Sequence, residues 1–273
     1  VVVEEDKLNK LLAVSLEQVD TSMPELAGDD FEMDGLEVTS GDDEDAARDS
    51  KARALKGIVK TAAPSLAISI LLFASAGRLD WTMAWVYAGL SLIAVVAVAL
   101  AAGPSLLAER SGVGQGAQAL DVIMAIIMAW LGPVAIALVA GLDCRYGWQP
   151  EVSPLVQGAG VVIVILGYAM ALWAMATNRF FSGVVRIQEE RGHTVVSHGP
   201  YALVRHPGYV GVILAMVGAP LMLGSVWALI PAAATVGVIV IRTAREDLTL
   251  TRYLAGYETY AQRVRYRLLP GIW

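Results

Sequence analysis

A chain of 273 residues that is 56% hydrophobic and 17% charged, with a positive mean hydropathy, is too apolar for an ordinary soluble domain of this length. Its formal net charge of −6 is unevenly placed: residues 1–50 carry 16 acidic and 3 basic side chains, the remainder 10 acidic and 17 basic ones. The single cysteine, Cys144, excludes an internal disulfide and a cysteine-based metal cluster.

The first ten residues, VVVEEDKLNK, lack the basic start and long apolar core of a cleavable signal. Leu8, Leu11, Leu12, Leu16 and Val19 follow helical spacing, which fits either an amphipathic helix or transient helix in a tail. Residues 20–50 are acidic, poor in aromatics and interrupted by Gly and Pro, so they cannot bury enough apolar surface to offset the entropy of ordering. Residues 1–50 are therefore expected to be an acidic, disordered tail, and residues 51–273 a membrane domain.

Apolar stretches near 58–77, 82–102, 120–141 and 155–177 are each about long enough to cross a bilayer. Residues 207–241 carry no charge and are too long for one crossing, and GAPLMLGS near their middle offers a break. The expectation is an all-α polytopic bundle of about six membrane segments that ends in a helical hairpin. Lys51, Arg53, Lys56 and Lys60 precede the first span, Arg110 follows the second, and Arg179, Arg186, Arg191 and Arg205 follow the fourth. Arg242, Arg245, Arg252, Arg263, Arg265 and Arg267 follow the hairpin. This alternation predicts that both termini and the polar segments face the cytoplasm. No span carries an ionisable residue at its middle, Asp121 lying at an end, which weighs against an ion-coupled transporter.

Polar chemistry is thus gathered in residues 178–206 and 242–267. The first stretch holds all three histidines, His193, His198 and His206. Their spacing, with no Cys or Asp nearby, is not a metal-ligand pattern, and no metal is expected. The GVGQG run at 112–116 reads as a connection, because no strand precedes it. Pro207 suits the first turn of a helix, which places Arg205 and His206 at a helix N-terminus, a geometry that accepts anions. In the second stretch Arg242, Arg245, Glu246, Thr249 and Tyr253 share a helical face, and Arg242 and Glu246 are an i, i+4 pair able to enter one pocket. A cation at one end and a carboxylate at the other suit a zwitterionic ligand.

The run GHTVVSHGPYALVRHPGYVG, followed by R-x-x-x-E and GYETYAQRVRYRLLP, resembles the isoprenylcysteine carboxyl methyltransferase family, and more loosely the phospholipid N-methyltransferases. The resemblance covers residues 155–273, with a weaker extension at 103–121. It implies S-adenosylmethionine as methyl donor, touching Arg186, His193, Thr194, Val195, Val196, Tyr201, Arg205, His206, Pro207, Gly208 and Tyr209, with Glu246 on its amino group. Arg186 stands where the isoprenylcysteine enzymes carry a glutamine. Arg242 would face the methyl acceptor, aided by Arg245 and Tyr257, and Arg242, Glu246 and His206 form the expected reacting set. The partners so implied are a lipid-like or prenylated small molecule and the bilayer of an inner membrane, with no nucleic acid. A sterol-type membrane reductase and a non-enzymatic scaffold are the competing classes, separable by donor binding and by a nicotinamide cofactor.

Overall fold

The computed structural model describes residues 62–101, 119–148, 151–183 and 187–273, and these form an integral membrane, multi-pass helical bundle. The expected amphipathic helix at 8–19, the acidic tail, the GVGQG connection and Arg186 lie outside the described residues. In chain order the helices are α1 (Ala62–Ala76), α2 (Thr82–Ala101), α3 (Ala119–Tyr146), α4 (Pro154–Thr177), α5 (Pro207–Leu223), α6 (Leu229–Tyr253) and α7 (Tyr257–Arg263). Helices α2, α3 and α4 are long and apolar enough to cross a membrane, while α1 and α5 are shorter apolar helices. Among the described residues there is no strand.

Local sequence sets the boundaries. Ser153 caps α4, its hydroxyl accepting from the Val156 amide at 3.4 Å, and Pro154 occupies the first turn, where a missing N–H costs nothing. Helix α3 runs five residues past the apolar stretch read from the sequence. It stops at Gly147, whose φ of 59° is left-handed and closes the last turn. Within it, Ile127–Leu131 forms one π-helical turn. The expected break in the uncharged stretch falls at Gly224, φ 73°, between α5 and α6. Ser225 fixes this turn: its hydroxyl donates to buried Asp143 of α3 at 2.6 Å and accepts from the Ala228 amide at 3.2 Å.

Helices α4 and α5 are antiparallel and touch backbone to backbone. A Cβ added at Gly167 would lie 2.7 Å from the Gly211 carbonyl oxygen, and one at Gly211 would lie 2.6 Å from that of Gly167. One heptad away, Gly160 meets the Leu221–Met222 backbone and Gly218 meets the Gly160 carbonyl. Close approach of small residues is how helices gain contact where lipid supplies no hydrophobic drive. Leu72, Ala140, Val164, Met222 and Ala232 form the packed core between α1, α3, α4, α5 and α6. Leu66, Ile93, Leu155, Leu166 and Ile230 are exposed on outer faces, as apolar side chains of a membrane bundle that would face lipid. A second small cluster, Leu254, Tyr257, Tyr260 and Val264, packs α7 against the residues after α6.

Candidate active site

A cavity of about 290 Å³ opens where α4, α5 and α6 meet the loop between α4 and α5. That is near the low end for small-ligand sites, roughly 300–1,000 Å³. Its polar end is walled by His193, Thr194, Val195, Val196, Tyr201, Arg205, His206, Gly208, Tyr209, Arg242, Glu246, Tyr257 and Tyr260. An apolar arm continues past Met175, Leu172 and Ala171 to Tyr168 on α4, with Val98 and Ala94 on α2 and Val212 on α5.

Behind the polar end, and not lining it, lies Asp247, 3% exposed and one residue beyond Glu246 on α6, to which the lining residues Arg205, His206 and Tyr257 are tied. Its Oδ1 lies 2.8 Å from Arg205 Nε and 3.2 Å from His206 Nε2, and accepts from the Tyr257 hydroxyl at 2.9 Å. Its Oδ2 accepts from Arg205 Nη2 at 3.0 Å and Arg267 Nε at 2.7 Å. Burial alone would raise this carboxyl, but the hydrogen bonds from His206 and Arg267 outweigh it and hold the group well below the usual carboxylate range. Tyr257 moves the other way: burial and the adjacent Asp247 charge raise its hydroxyl, so it remains a donor. Arg205 Nη1 also reaches the Ala261 and Val264 carbonyls at 3.3 Å, which ties the start of α5 to the end of α7.

Glu246 is held differently. It accepts from the Tyr209 hydroxyl at 2.6 Å, and His206 Nδ1 stands 4.0 Å away. Its charge is therefore less compensated than that of Asp247, and it faces the cavity.

The loop from α4 to α5 is fastened on its far side. Gln188, fully buried, donates from Nε2 to the Phe180 carbonyl at 2.8 Å and accepts from Arg191 Nη1 at 2.6 Å. Its backbone amide donates to His193 Nδ1 at 3.3 Å, and the His193 ring stacks on Phe180 with centroids 4.5 Å apart. Residues 193–197 are irregular, and His193 to Val196 line the cavity. Tyr201 follows in a 3₁₀ turn, its carbonyl accepting from the Tyr260 hydroxyl at 2.8 Å.

The structure brings together most residues singled out from the sequence, with four differences. Arg242 and Glu246 both face the cavity, but Arg242 is engaged by Asp121 of α3, Nε to Oδ1 at 3.0 Å and Nη2 to Oδ2 at 3.3 Å. Arg245 is exposed and outside the cavity, because the buried stripe of α6 runs through Ile239, Thr243, Asp247 and Arg242 and position 245 falls past its edge. Pro207 is buried and starts α5 without lining the cavity. The helix N-terminus is not an open anion site: the Arg205 amide donates to the Tyr266 carbonyl at 2.9 Å, the His206 amide to that of Arg267 at 3.0 Å, and the Arg205 guanidinium is committed to Asp247. Sequence reasoning missed Asp247 and assigned Asp121 no part.

Residues 160–252 match the model of the isoprenylcysteine carboxyl methyltransferase (ICMT) family. A probable protein-S-isoprenylcysteine O-methyltransferase of Oryza sativa subsp. indica is 34% identical over 113 residues, 38% of this chain and 56% of that protein. Protein-S-isoprenylcysteine O-methyltransferase A of Arabidopsis thaliana is 36% identical over 69 residues, 25% of this chain and 35% of the relative. The Rattus norvegicus protein-S-isoprenylcysteine O-methyltransferase is 31% identical over 125 residues, 42% of each chain. The chain thus spans about half the length of the rice relative that it matches. The matched segment holds α5, most of α4 and nearly all of α6, the helices that carry the cavity.

Proposed function

We propose, on the premise that residues 160–252 make this chain a member of the isoprenylcysteine carboxyl methyltransferase family, that it methylates the carboxylate of an isoprenylcysteine-like amphiphile from within the membrane. The observation that carries this reading is the cavity itself: a carboxylate, Glu246, and a guanidinium, Arg242, one turn apart on α6, sit at the head of an apolar arm between helices.

The fit to S-adenosylmethionine rests on the side chains present. The cationic amino group finds the under-compensated Glu246 carboxylate, whose orientation the Tyr209 hydroxyl fixes. The rings of Tyr201, Tyr209, Tyr257 and Tyr260 line the same space, and aromatic faces attract a sulfonium. When bound, that donor supplies a methyl group activated by the positive sulfur. The His193–Val196 segment, outside any helix or strand and lining the cavity, offers its backbone amide and carbonyl groups to a flat heterocycle.

The rest is alignment. A carboxylate is already a nucleophile, so no proton has to be removed, and the protein's task is to hold the two reactants in line and exclude water. Arg242 marks the acceptor carboxylate's place and the arm beyond Val212 takes the hydrocarbon. An amine acceptor would require a base, but His206 Nε2 is occupied by Asp247 at 3.2 Å and the Tyr257 hydroxyl at 3.4 Å. His206 holds the site's shape. The alternation of basic segments along the sequence supports a site, and chain ends, on the cytoplasmic side.

The test is methyl transfer by purified protein in lipid nanodiscs, given methyl-labelled S-adenosylmethionine and N-acetyl-S-farnesylcysteine. The expected product is a methyl ester that releases labelled methanol in base. Donor binding without any such ester would overturn the acceptor assignment, and failure to bind the donor would overturn the reading as a whole.

A further inference from the structure

We infer that Asp121, on a helix outside the family-matched segment, is a positioning residue that makes Arg242 a one-armed grip on the acceptor carboxylate. This rests on the function proposed above and concerns how the acceptor is held.

A guanidinium has five N–H groups in a planar fork, and free of other partners it clasps a carboxylate with two of them. Arg242 is not free. Nε and one Nη2 proton are directed at the two oxygens of Asp121, at 3.0 and 3.3 Å, and Nη2 also donates to the Gly183 carbonyl at 2.6 Å. Only Nη1 faces a weak partner, the Met128 thioether at 3.7 Å. Arg242 and Asp121 are both buried, at 4% and 7% exposure, so the pair is desolvated and fixed in orientation. Asp121 lies in the first turn of α3, where a carboxylate is also favoured by the helix dipole. Met128 sits on the π turn of the same helix. Helix α3 thus engages three of the five donors and the Gly183 carbonyl a fourth, which leaves Nη1, weakly held by Met128, as the arm open to the cavity.

The consequence is chemical. Side-on pairing would pin both carboxylate oxygens and stabilise the negative charge that has to react. With Nη1 alone, one oxygen is held and the other keeps its lone pairs. The free oxygen takes up the methyl carbon, the carbon–sulfur bond's electron pair stays on sulfur, and no proton moves. Asp121 also offsets the charge of Arg242, so the neutral ester is not retained.

The experiment is steady-state kinetics in nanodiscs with S-adenosylmethionine and N-acetyl-S-farnesylcysteine, together with donor affinity by calorimetry and thermal unfolding. Asp121→Asn keeps an oxygen for Nε but turns an amide toward Nη2, which frees for the acceptor the Nη2 proton that Asp121 held, the other staying on the Gly183 carbonyl. Acceptor KM and kcat should both fall, kcat by about tenfold, with donor affinity unchanged. A merely structural role would instead raise KM or weaken donor binding, and either result, or unchanged kinetics, overturns the inference. Met128→Gln tests it without touching the ion pair. An amide oxygen on Nη1 should raise acceptor KM about tenfold and spare donor affinity, and an unaltered KM would overturn it. Should the unsubstituted protein bind donor and make no ester, the acceptor reading falls and this inference with it.

Discussion

At the scale of single residues, the two neighbouring carboxylates of α6 divide the work. Glu246 faces the cavity and accepts from Tyr209, whereas Asp247 turns inward to Arg205, His206, Tyr257 and Arg267. Glu246→Gln keeps the hydrogen bond from Tyr209 and removes the charge, so donor affinity should drop about tenfold or more with thermal stability unchanged. Isothermal calorimetry checks it, and an unchanged affinity would reassign the residue. Asp247→Asn should instead destabilise, by about 3–5 kcal/mol, because it leaves buried guanidinium charge without its partner. The pH dependence follows from the direction of the shift. Asp247 is depressed in the folded protein, so its contribution is complete above the ordinary carboxylate value of 3.8 and is lost as pH falls below it. Unfolding temperatures of the two proteins should therefore differ widely at pH 7 and converge below about pH 4. Neither role could be assigned from the chain alone. Asp247 has no partner at helical spacing, since its contacts come from Arg205, 42 residues away, and from Arg267, 20 residues away. Asp121 and Arg242 are separated by 121 positions, and only the folded packing of α3 on α6 joins them.

At the scale of elements, hydropathy and turn chemistry were enough to place the helices. The uncharged run 207–241 had to break, and Gly224 was within the stretch marked for it. Proline at the start of α5 and glycine before α7 are readable for the same reason, because each fixes a backbone angle locally. What periodicity could not supply was the facing of α6. A shared face through Arg242 and Arg245 looks as good on a helical wheel as the stripe through Ile239 and Asp247 that the bundle buries. The apolar arm between α2, α4 and α5 was equally invisible, because its walls are ordinary lipid-like residues. Its far end has one distinguishing feature: Tyr168, whose hydroxyl lies 3.2 Å from the Ser91 hydroxyl on α2, a turn beyond Ala94. Under the proposed function, Tyr168 would limit how deep a tail can reach. Tyr168→Ala should lower KM for a geranylgeranyl acceptor relative to a farnesyl one by about threefold or more, at one methylene's worth of apolar contact or better. Equal KM values for the two tails in the variant and in the unaltered protein would show that the arm ends elsewhere.

For the molecule as a whole, charge is segregated between an acidic first fifty residues and a mildly basic remainder, and the cavity residues all come from the latter. A protein lacking residues 1–50 should therefore retain donor affinity and turnover within about twofold. A truncated protein that inserts and folds but does not turn over would make the tail part of the enzyme. The bundle itself carries a constraint of another kind. Helix α5 has 17 residues, about 25 Å of rise, and Gly224 turns the chain before a hydrocarbon slab of about 30 Å is crossed. Its partner α4 has 24 residues and reaches the full distance. Hydrophobic mismatch is thereby built in beside the cavity: the bilayer would thin locally, or the Pro207 end would sink below the headgroups and carry the cavity toward the depth at which the proposed prenyl substrate would lie. Catalytic rate should accordingly track acyl-chain length, rising in thinner bilayers and declining in thicker ones, and nanodiscs of graded lipid length would trace that dependence.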